Sequence, residues 1–241
     1  LRPQTRQAAE ASTHKLRTRL SKGEKRHRKR RATVASVYSI TPYVRSADDL
    51  VRELAPVREV RTERRPQPRG KRVWASVRKA PHAVIAEMFD EAHGRDPEGT
   101  RPWVVLVDGQ EHQLRLLRQE IKRRSVAVTL ILDLFHVLEY LWAAAFACHA
   151  EGSTEAERWV RTQLLALLRG RASQVAAAMR RSATMRAFTA AKRAAVDKCA
   201  DYLLKYRDML RYDQYLAAGY PIGTGVIEGA CRYLVKDRME R

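Results

Sequence analysis

Two short apolar runs that each stop at an aspartate constrain the fold more than any other feature of this chain. The first run begins at Trp103 and stops at Asp108-Gly109, and the second covers residues 126–132 and stops at Asp133. Runs of this length that are rich in valine and isoleucine predict strands buried on both faces, and the helical pattern between them predicts that these strands are parallel. A right-handed crossover would put both aspartates at the carboxyl edge of one sheet, where open α/β sheets bind ligands and metals. From this unit alone, a metal site and a pair of polar turn residues are equally good interpretations.

The flanking sequence predicts strands before this unit and helices after it. Strands are predicted at 32–40 and 71–77, Ser46 is predicted to lie at a helix cap or turn, and a helix is predicted to begin at Pro81. The basic stretch 58–72 contains two prolines and a glycine, which favours a loop. From residue 136 to about 216 the pattern is almost wholly helical, so the predicted fold class is α/β (α+β). Four aromatic side chains in this part are interpreted as core, with base stacking as the alternative for the last two: Tyr140, Trp142, Tyr212 and Tyr215.

The charge of the chain predicts a polyanionic partner. The formal net charge is +20 and the isoelectric point is about 10.5, which favours nucleic acid over a membrane, with a merely solvated basic surface as the alternative. The sequence contains no apolar run of membrane-spanning length and no signal peptide, and its three cysteines stand singly, as expected in a reducing cytosol. The densest basic block, at 22–31, is interpreted as a DNA-binding arm. Its predicted DNA-binding residues are Lys25, Arg26, Arg28, Lys29, Arg30 and Arg31.

The end of the chain carries a third acid in an unusual setting. A final helix is predicted to begin near Thr224, and three glycines at 223, 225 and 229 crowd its start, which favours close backbone packing. Glu228, Arg232 and Lys236 follow at intervals of four residues and therefore share one helix face. An exposed, salt-bridged face is the alternative to a functional site. Carboxylates on strand ends and a late helix are suited to holding two divalent metals for phosphodiester chemistry, and their hard oxygen ligands favour Mg²⁺ or Mn²⁺.

Three motifs together resemble the ISKra group of bacterial insertion-sequence transposases. They are Val-Val-Leu-Val-Asp108-Gly, then Leu-Asp133-Leu-Phe-His136-Val-Leu-Glu-Tyr-Leu-Trp, then Tyr220-Pro-Ile-Gly-Thr-Gly-Val-Ile-Glu228-Gly-Ala-Cys-Arg-Tyr-Leu-Val-Lys. The resemblance covers most of the chain, and the last motif is the most specific. It implies a DDE transposase with an RNase H-like core that cleaves and joins DNA strands with two Mg²⁺ (or Mn²⁺) ions.

The resemblance also implies an order of elements: three strands, a helix, a strand, a helix, a strand and a helix, with acids on the first strand, the fourth strand and the last helix. Asp108 matches the family's second acid and Glu228 its third, while the first strand, with its acid, is expected upstream of Leu1, so that the chain would be a fragment. Asp133 and His136 match the family's Asp-x-x-His position and would support metal or DNA binding; the structural alternative for His136 is a core or capping role. A competing assignment makes Asp108 and Asp133 the first two acids of the triad.

Four segments follow from these interpretations: a basic arm at 1–31, the first part of an RNase H-like core at 32–135, a helical insertion at 136–220, and a core helix carrying the last acid at 221–241. Arg232 and Lys236 would hold phosphate beside the site. The implied partner is double-stranded DNA (element ends and target), and no membrane partner is expected. The protein would act as a homo-oligomer on DNA, at the nucleoid in the bacterial cytoplasm. Two other functions stay open, namely a non-catalytic nucleic-acid-binding derivative of a transposase and an RNase H-like nuclease that cleaves without joining.

Overall fold

The computed structural model describes residues 32–53 and 65–223, which form a mixed α and β fold. The predictions for the basic arm at 1–31 and for Glu228, Arg232 and Lys236 lie outside the described residues. The elements, in chain order, are β1 (Thr33–Ser39), α1 (Ala47–Glu53), β2 (Arg69–Ser76), α2 (Pro81–Arg95), β3 (Trp103–Val107), α3 (Glu111–Arg124), β4 (Val128–Leu132), α4 (Leu134–Phe146), α5 (Thr154–Leu168), α6 (Ala172–Met185), α7 (Ala190–Lys205), a 3₁₀ turn (Arg207–Met209) and α8 (Tyr212–Ala217).

The first two strands pair with each other, in antiparallel register. Thr33 lies opposite Ser76 and Val37 opposite Arg72, and the register shifts between Val37 and Ser39. The predicted loop therefore ends earlier than expected, because β2 already begins at Arg69. Between these strands, Ser46 caps α1: its hydroxyl accepts a hydrogen bond from the backbone N–H of Asp49 at 3.1 Å, and the Asp49 carboxylate accepts one from the Ser46 N–H at 3.0 Å. This reciprocal pair satisfies two of the backbone donors that a helix start leaves open.

The strand–helix–strand unit has the predicted parallel pairing. Trp103 lies opposite Val128 and Val107 opposite Leu132, so the two strands end level with each other. Strand β4 begins at Val128, two residues later than predicted, because the chain first leaves α3 through Ser125 in a left-handed conformation (φ 54°). At the start of β3, buried Asp96 accepts a hydrogen bond from the indole N–H of Trp103 at 3.0 Å. That bond, which stabilises the ionised form, lowers the pKa of Asp96.

The helical part shares one hydrophobic core with this sheet. Buried side chains of β4 and α4, such as Ile131 and Leu141, belong to the same cluster as Leu164 of α5 and Leu203 of α7. Helix α4 buries positions 134, 137, 141, 144 and 145, which follow helical periodicity. Each fully buried leucine of this kind stabilises the fold by roughly 1.5–3 kcal/mol relative to an exposed one. The carboxyl ends of β3 and β4 are therefore supported by the helical part.

The segment 189–216 departs from the predicted continuous helix. Helix α7 stops at Lys205, a 3₁₀ turn follows, and α8 begins at Tyr212. No proline or glycine lies in this bend. Tyr206, Met209, Leu210 and Tyr212, which lie in and beside this bend, are all buried. The core interpretation of Tyr212 and Tyr215 is confirmed, since they are 0% and 7% exposed.

Among the helices of residues 32–53 and 65–223, none combines the length and the apolar character needed to cross a membrane.

Candidate functional site

Two aspartates lie side by side where the parallel strands end. Asp108 follows Val107 and Asp133 follows Leu132, and these two strand residues are register partners. The Asp133 N–H donates to the Val107 carbonyl at 2.8 Å, which continues the strand pairing by one residue. The sequence therefore predicted correctly that both acids share one edge of the sheet. Their settings differ, however.

Asp108 presents an exposed carboxylate on a tight turn. Its Oδ1 accepts a hydrogen bond from the Gln110 N–H at 2.8 Å, and the next residue, Gly109, is buried with φ +89°. A Cβ at position 109 would lie 3.1 Å from the Tyr206 ring and 3.3 Å from Leu132 and Tyr202. Only glycine suits both this backbone conformation and this close packing. Asp108 and Gly109 thus form a tight turn that is fixed by close packing and leaves the Asp108 carboxylate accessible.

Asp133 is buried and serves the fold. It is 5% exposed, and its Oδ1 accepts a hydrogen bond from the Phe135 N–H at 3.2 Å, so that it caps the start of α4. A capping aspartate contributes about 1 kcal/mol to helix stability. This structural role is the polar turn interpretation that the sequence left open, and it does not prevent Asp133 from also facing a cation.

Tyrosines from the helical part hold the strand ends by their hydroxyl groups. Tyr202 donates to the Asp108 carbonyl at 3.0 Å and Tyr206 to the Gly109 carbonyl at 2.5 Å. Tyr212 donates to the Leu132 carbonyl at 2.7 Å. Burial raises the pKa of Tyr202, with further increases from Tyr140 and from the nearby carboxylates of Asp108 and Asp133. Burial likewise raises the pKa of Tyr212. The hydroxyls of Tyr202 and Tyr212 therefore stay protonated and remain donors at neutral pH.

An aromatic cluster surrounds this connection. The Tyr140 and Tyr202 rings stack with centroids 3.9 Å apart, and Tyr206 meets Tyr202 edge-on at 5.1 Å. Two lysines lie over the cluster, with the Lys198 ammonium 5.6 Å from the Tyr140 centroid and the Lys205 ammonium 5.3 Å from that of Tyr206. Lys205 is also paired with Glu111, so Lys198 adds positive charge to the cluster without a paired carboxylate in the described part of the chain, whereas Lys205 does not.

His136 belongs to the same cluster. Its ring meets Tyr140 and Tyr202 edge-on, with centroids 5.5 and 5.9 Å away. Its Nδ1 lies 2.9 Å from a carboxylate oxygen of Glu139. The side chain is one-third exposed. His136 thus packs against the cluster that supports Asp108 and still reaches the surface, so its predicted role in DNA binding stays a prediction.

The chain that leads to Glu228 passes beside Asp133. The Leu134 N–H donates to the Ile222 carbonyl at 2.9 Å, and Ile222 is buried. A Cβ at Gly223 would lie 2.7 Å from the Phe135 ring, so any larger residue would have to displace that ring. The conclusion from sequence that the glycines near the last helix reflect close packing is confirmed at position 223.

The carboxylates at the strand ends are of the chemical type that binds a hard divalent cation. Within residues 32–53 and 65–223, no group of three histidine, cysteine or acidic side chains forms a metal-binding cluster. The two carboxylates at the strand ends supply oxygen ligands, which Mg²⁺ and Mn²⁺ prefer. Asp108 and Asp133 could hold such an ion only together with a further ligand.

Sequence reasoning missed the tyrosines. Tyr202 and Tyr206 lie four residues apart and so share a helix face, which signals a shared target but does not reveal that the target is the Asp-Gly turn.

No protein-family model, curated protein or solved structure significantly matches the chain.

Proposed function

We propose that this chain is part of a DDE-type transposase that cleaves and joins DNA strands with divalent metal ions. The observation that carries the proposal is the exposed carboxylate of Asp108 at a strand end, next to Asp133 and beside the segment that leads to Glu228. Gly223 packs against Phe135, and five residues span at most roughly 18 Å. Glu228 is therefore tethered within roughly 18 Å of Gly223, and we propose that it approaches Asp108.

The proposed core is RNase H-like. The order β1, β2, α2, β3, α3 and β4 supports this proposal, and the short helix α1 is an addition between β1 and β2. Within the described residues β1 pairs only with β2, and β3 pairs only with β4. A further strand running antiparallel to β1 and parallel to β3 would join the two sheets, and its end would lie beside Asp108. We propose that this strand carries the first acid.

In this account, different residues of the chain hold the metals, position the backbone and bind the DNA. When bound, Mg²⁺ or Mn²⁺ would activate the attacking water or 3′ hydroxyl and stabilise the leaving oxygen. Asp108 and Glu228 would hold the metals, and Tyr202 would fix the backbone that carries Asp108. Arg232 and Lys236 would bind phosphate next to the scissile bond, and the arm at 22–31 would bind DNA without sequence preference.

The setting of Asp133 supports the assignment in which it is not one of the three acids. It is buried and its Oδ1 caps α4, whereas Asp108 is exposed. An alternative active site made of Asp108, Asp133 and Glu228 would be complete within this chain. Incubating the chain with supercoiled plasmid and Mg²⁺ distinguishes the two, because the preferred assignment predicts salt-sensitive binding without cleavage. Robust Mg²⁺-dependent cleavage would favour the alternative.

Genomic context tests the transposase proposal itself. We expect inverted repeats on both sides of the gene, and an in-frame strand ending in an acid upstream of Leu1. A frame that begins at this point, without repeats around it, would contradict the proposal. It would favour the second candidate, a DNA-binding protein derived from a transposase, for which the charge of +20 is sufficient support.

A further inference from the structure

A basic groove opens next to the Asp108 turn, between α3 and the end of α7. Its volume is about 470 Å³, and its charged lining consists of Arg115, Arg118, Lys122, Lys205 and Glu111. The first helical residue of α3 follows Asp108 by three positions. Tyr206 also lines the groove while its hydroxyl binds the Gly109 carbonyl. Tyr206 therefore forms part of the groove lining and also holds the turn that carries Asp108.

The cations of α3 fall into two groups on different faces of the helix. Arg123 and Arg124 are neutralised, since Glu120 binds both and Asp90 also binds Arg124. Arg115, Arg118 and Lys122 lie on the groove face and form no salt bridge with a carboxylate within the described part of the chain. Arg115 instead contacts a ring nitrogen of His112 at 2.9 Å.

Lys205 and Glu111 close the end of the groove nearest Asp108. They form an ion pair between α7 and α3, and this hydrogen-bonded pairing lowers the pKa of Glu111 and raises that of Lys205. The pair leaves three exposed cations in line along the groove. At 1.5 Å per residue, they extend over about 10 Å of the helix. That length spans several phosphates of one DNA strand, whose axial spacing is about 3.4 Å.

We propose that Arg115, Arg118 and Lys122 bind consecutive phosphates of a DNA duplex as it leaves the Asp108 site. The inference rests on the proposed function, because that function supplies the reason for DNA at Asp108. A row of unpaired cations in a concave surface recognises the polyanionic backbone and carries no base readout. The groove would thus set the direction of the duplex and add affinity that is independent of sequence.

The test compares salt dependence in the full chain. A triple variant, Arg115→Gln/Arg118→Gln/Lys122→Gln, is measured against a matched control, Arg158→Gln/Arg161→Gln/Arg181→Gln, which removes the same charge from exposed arginines outside the groove. Binding of a labelled 30-base-pair duplex is followed by fluorescence anisotropy from 50 to 300 mM salt. Thermal melting verifies that both proteins fold.

Loss of three phosphate contacts should reduce the slope of log K against log salt by about 2.7. The control should change the slope by less than the contribution of one phosphate contact, which is roughly 0.9. Equal slopes for the groove variant and the control would overturn the proposal. A groove variant that loses affinity only for a structured RNA of the same length, and keeps its duplex slope, would overturn it as well.

This result is separable from that of the proposed function. Asp108→Asn removes the proposed metal ligand and should leave the salt slope unchanged. A groove variant with a reduced slope supports the groove even if Asp108→Asn retains activity. A groove variant with an unchanged slope overturns the groove even if Asp108→Asn abolishes activity.

Discussion

The hydroxyl of Tyr202 donates a hydrogen bond to the backbone carbonyl of Asp108 at 3.0 Å. The bond joins the end of α7 to the carboxyl end of β3, through two residues that lie 94 positions apart in the chain. Asp108 is therefore fixed through its backbone, and its carboxylate stays exposed. The helical part serves as the support of the candidate site and not merely as an appendage to the sheet.

Tyr202→Phe should destabilise the protein by about 0.5–1.5 kcal/mol, because the Asp108 carbonyl loses its donor. Chemical denaturation in urea measures this change. Tyr140→Phe is the matched control, since Tyr140 stacks on the same ring and its hydroxyl makes no hydrogen bond within the described residues. Equal stability of the two variants would show that the Tyr202 hydroxyl contributes nothing.

Gly109→Ala should be more destabilising than Gly99→Ala. Both glycines have positive φ, +89° and +61°, so each substitution strains the backbone by roughly 1 kcal/mol. Only at position 109 would the new Cβ also press against Tyr206, Leu132 and Tyr202, whereas at Gly99 nothing lies within 4 Å. Thermal melting of both variants separates the steric cost from the backbone cost, and indistinguishable melting points would contradict the close packing at Gly109.

Asp133→Asn and Asp133→Ala separate capping from metal binding. Asparagine can still accept the hydrogen bond from Phe135, so Asp133→Asn should keep nearly full stability, whereas Asp133→Ala should lose about 0.5–2 kcal/mol. In the full-length protein, DNA cleavage and joining by Asp133→Asn should persist if Asp133 only caps α4. Loss of this activity with unchanged urea denaturation would instead make Asp133 a metal ligand.

Acid pH should weaken the ion pairs of α3. Hydrogen bonds from Arg123 and Arg124 lower the pKa of Glu120 from 4.5 to about 2. Because the folded-state pKa is the lower one, the stabilisation is complete above about pH 4.5 and disappears as the pH falls towards 2. Glu120→Gln should therefore be less stable than the wild type at pH 6 and approach it near pH 2. The exposed Glu98→Gln provides the control, and a pH-independent difference for Glu120→Gln would contradict the pairing.

The strand ends could be predicted from the sequence because their signal is local. The run from Trp103 to Val107 is apolar throughout and stops at Asp-Gly, so both the strand and its exposed acid follow from adjacent residues. The sequence also offered Asp133 as a polar turn residue, and the capping of α4 is a structural role of that kind, although the cap itself was not predicted. The glycine at 223 predicted close packing, although Phe135 as its neighbour did not follow from any spacing.

The connections between distant parts could not be predicted. The carbonyls of Asp108, Gly109 and Leu132 accept from tyrosines 94, 97 and 80 residues away. Backbone acceptors carry no sequence signature, so nothing in a tyrosine's position identifies them. The bend after Lys205 was missed as well, because no proline or glycine marks it in the sequence.

The central claim is that Asp108 holds a catalytic metal, and excision of the DNA element tests it most directly. A marked copy of the element is followed in cells that supply the full-length protein with either Asp108→Asn or Asp90→Asn. Asp90 is an exposed aspartate that pairs with Arg124 at the far end of α3, so the control removes the same charge. We predict that Asp108→Asn lowers excision at least about 100-fold, because loss of even an outer-shell partner of a metal ligand typically costs about 10–100-fold, and that Asp90→Asn leaves it unchanged. Excision by Asp108→Asn at the level of the control would contradict the account.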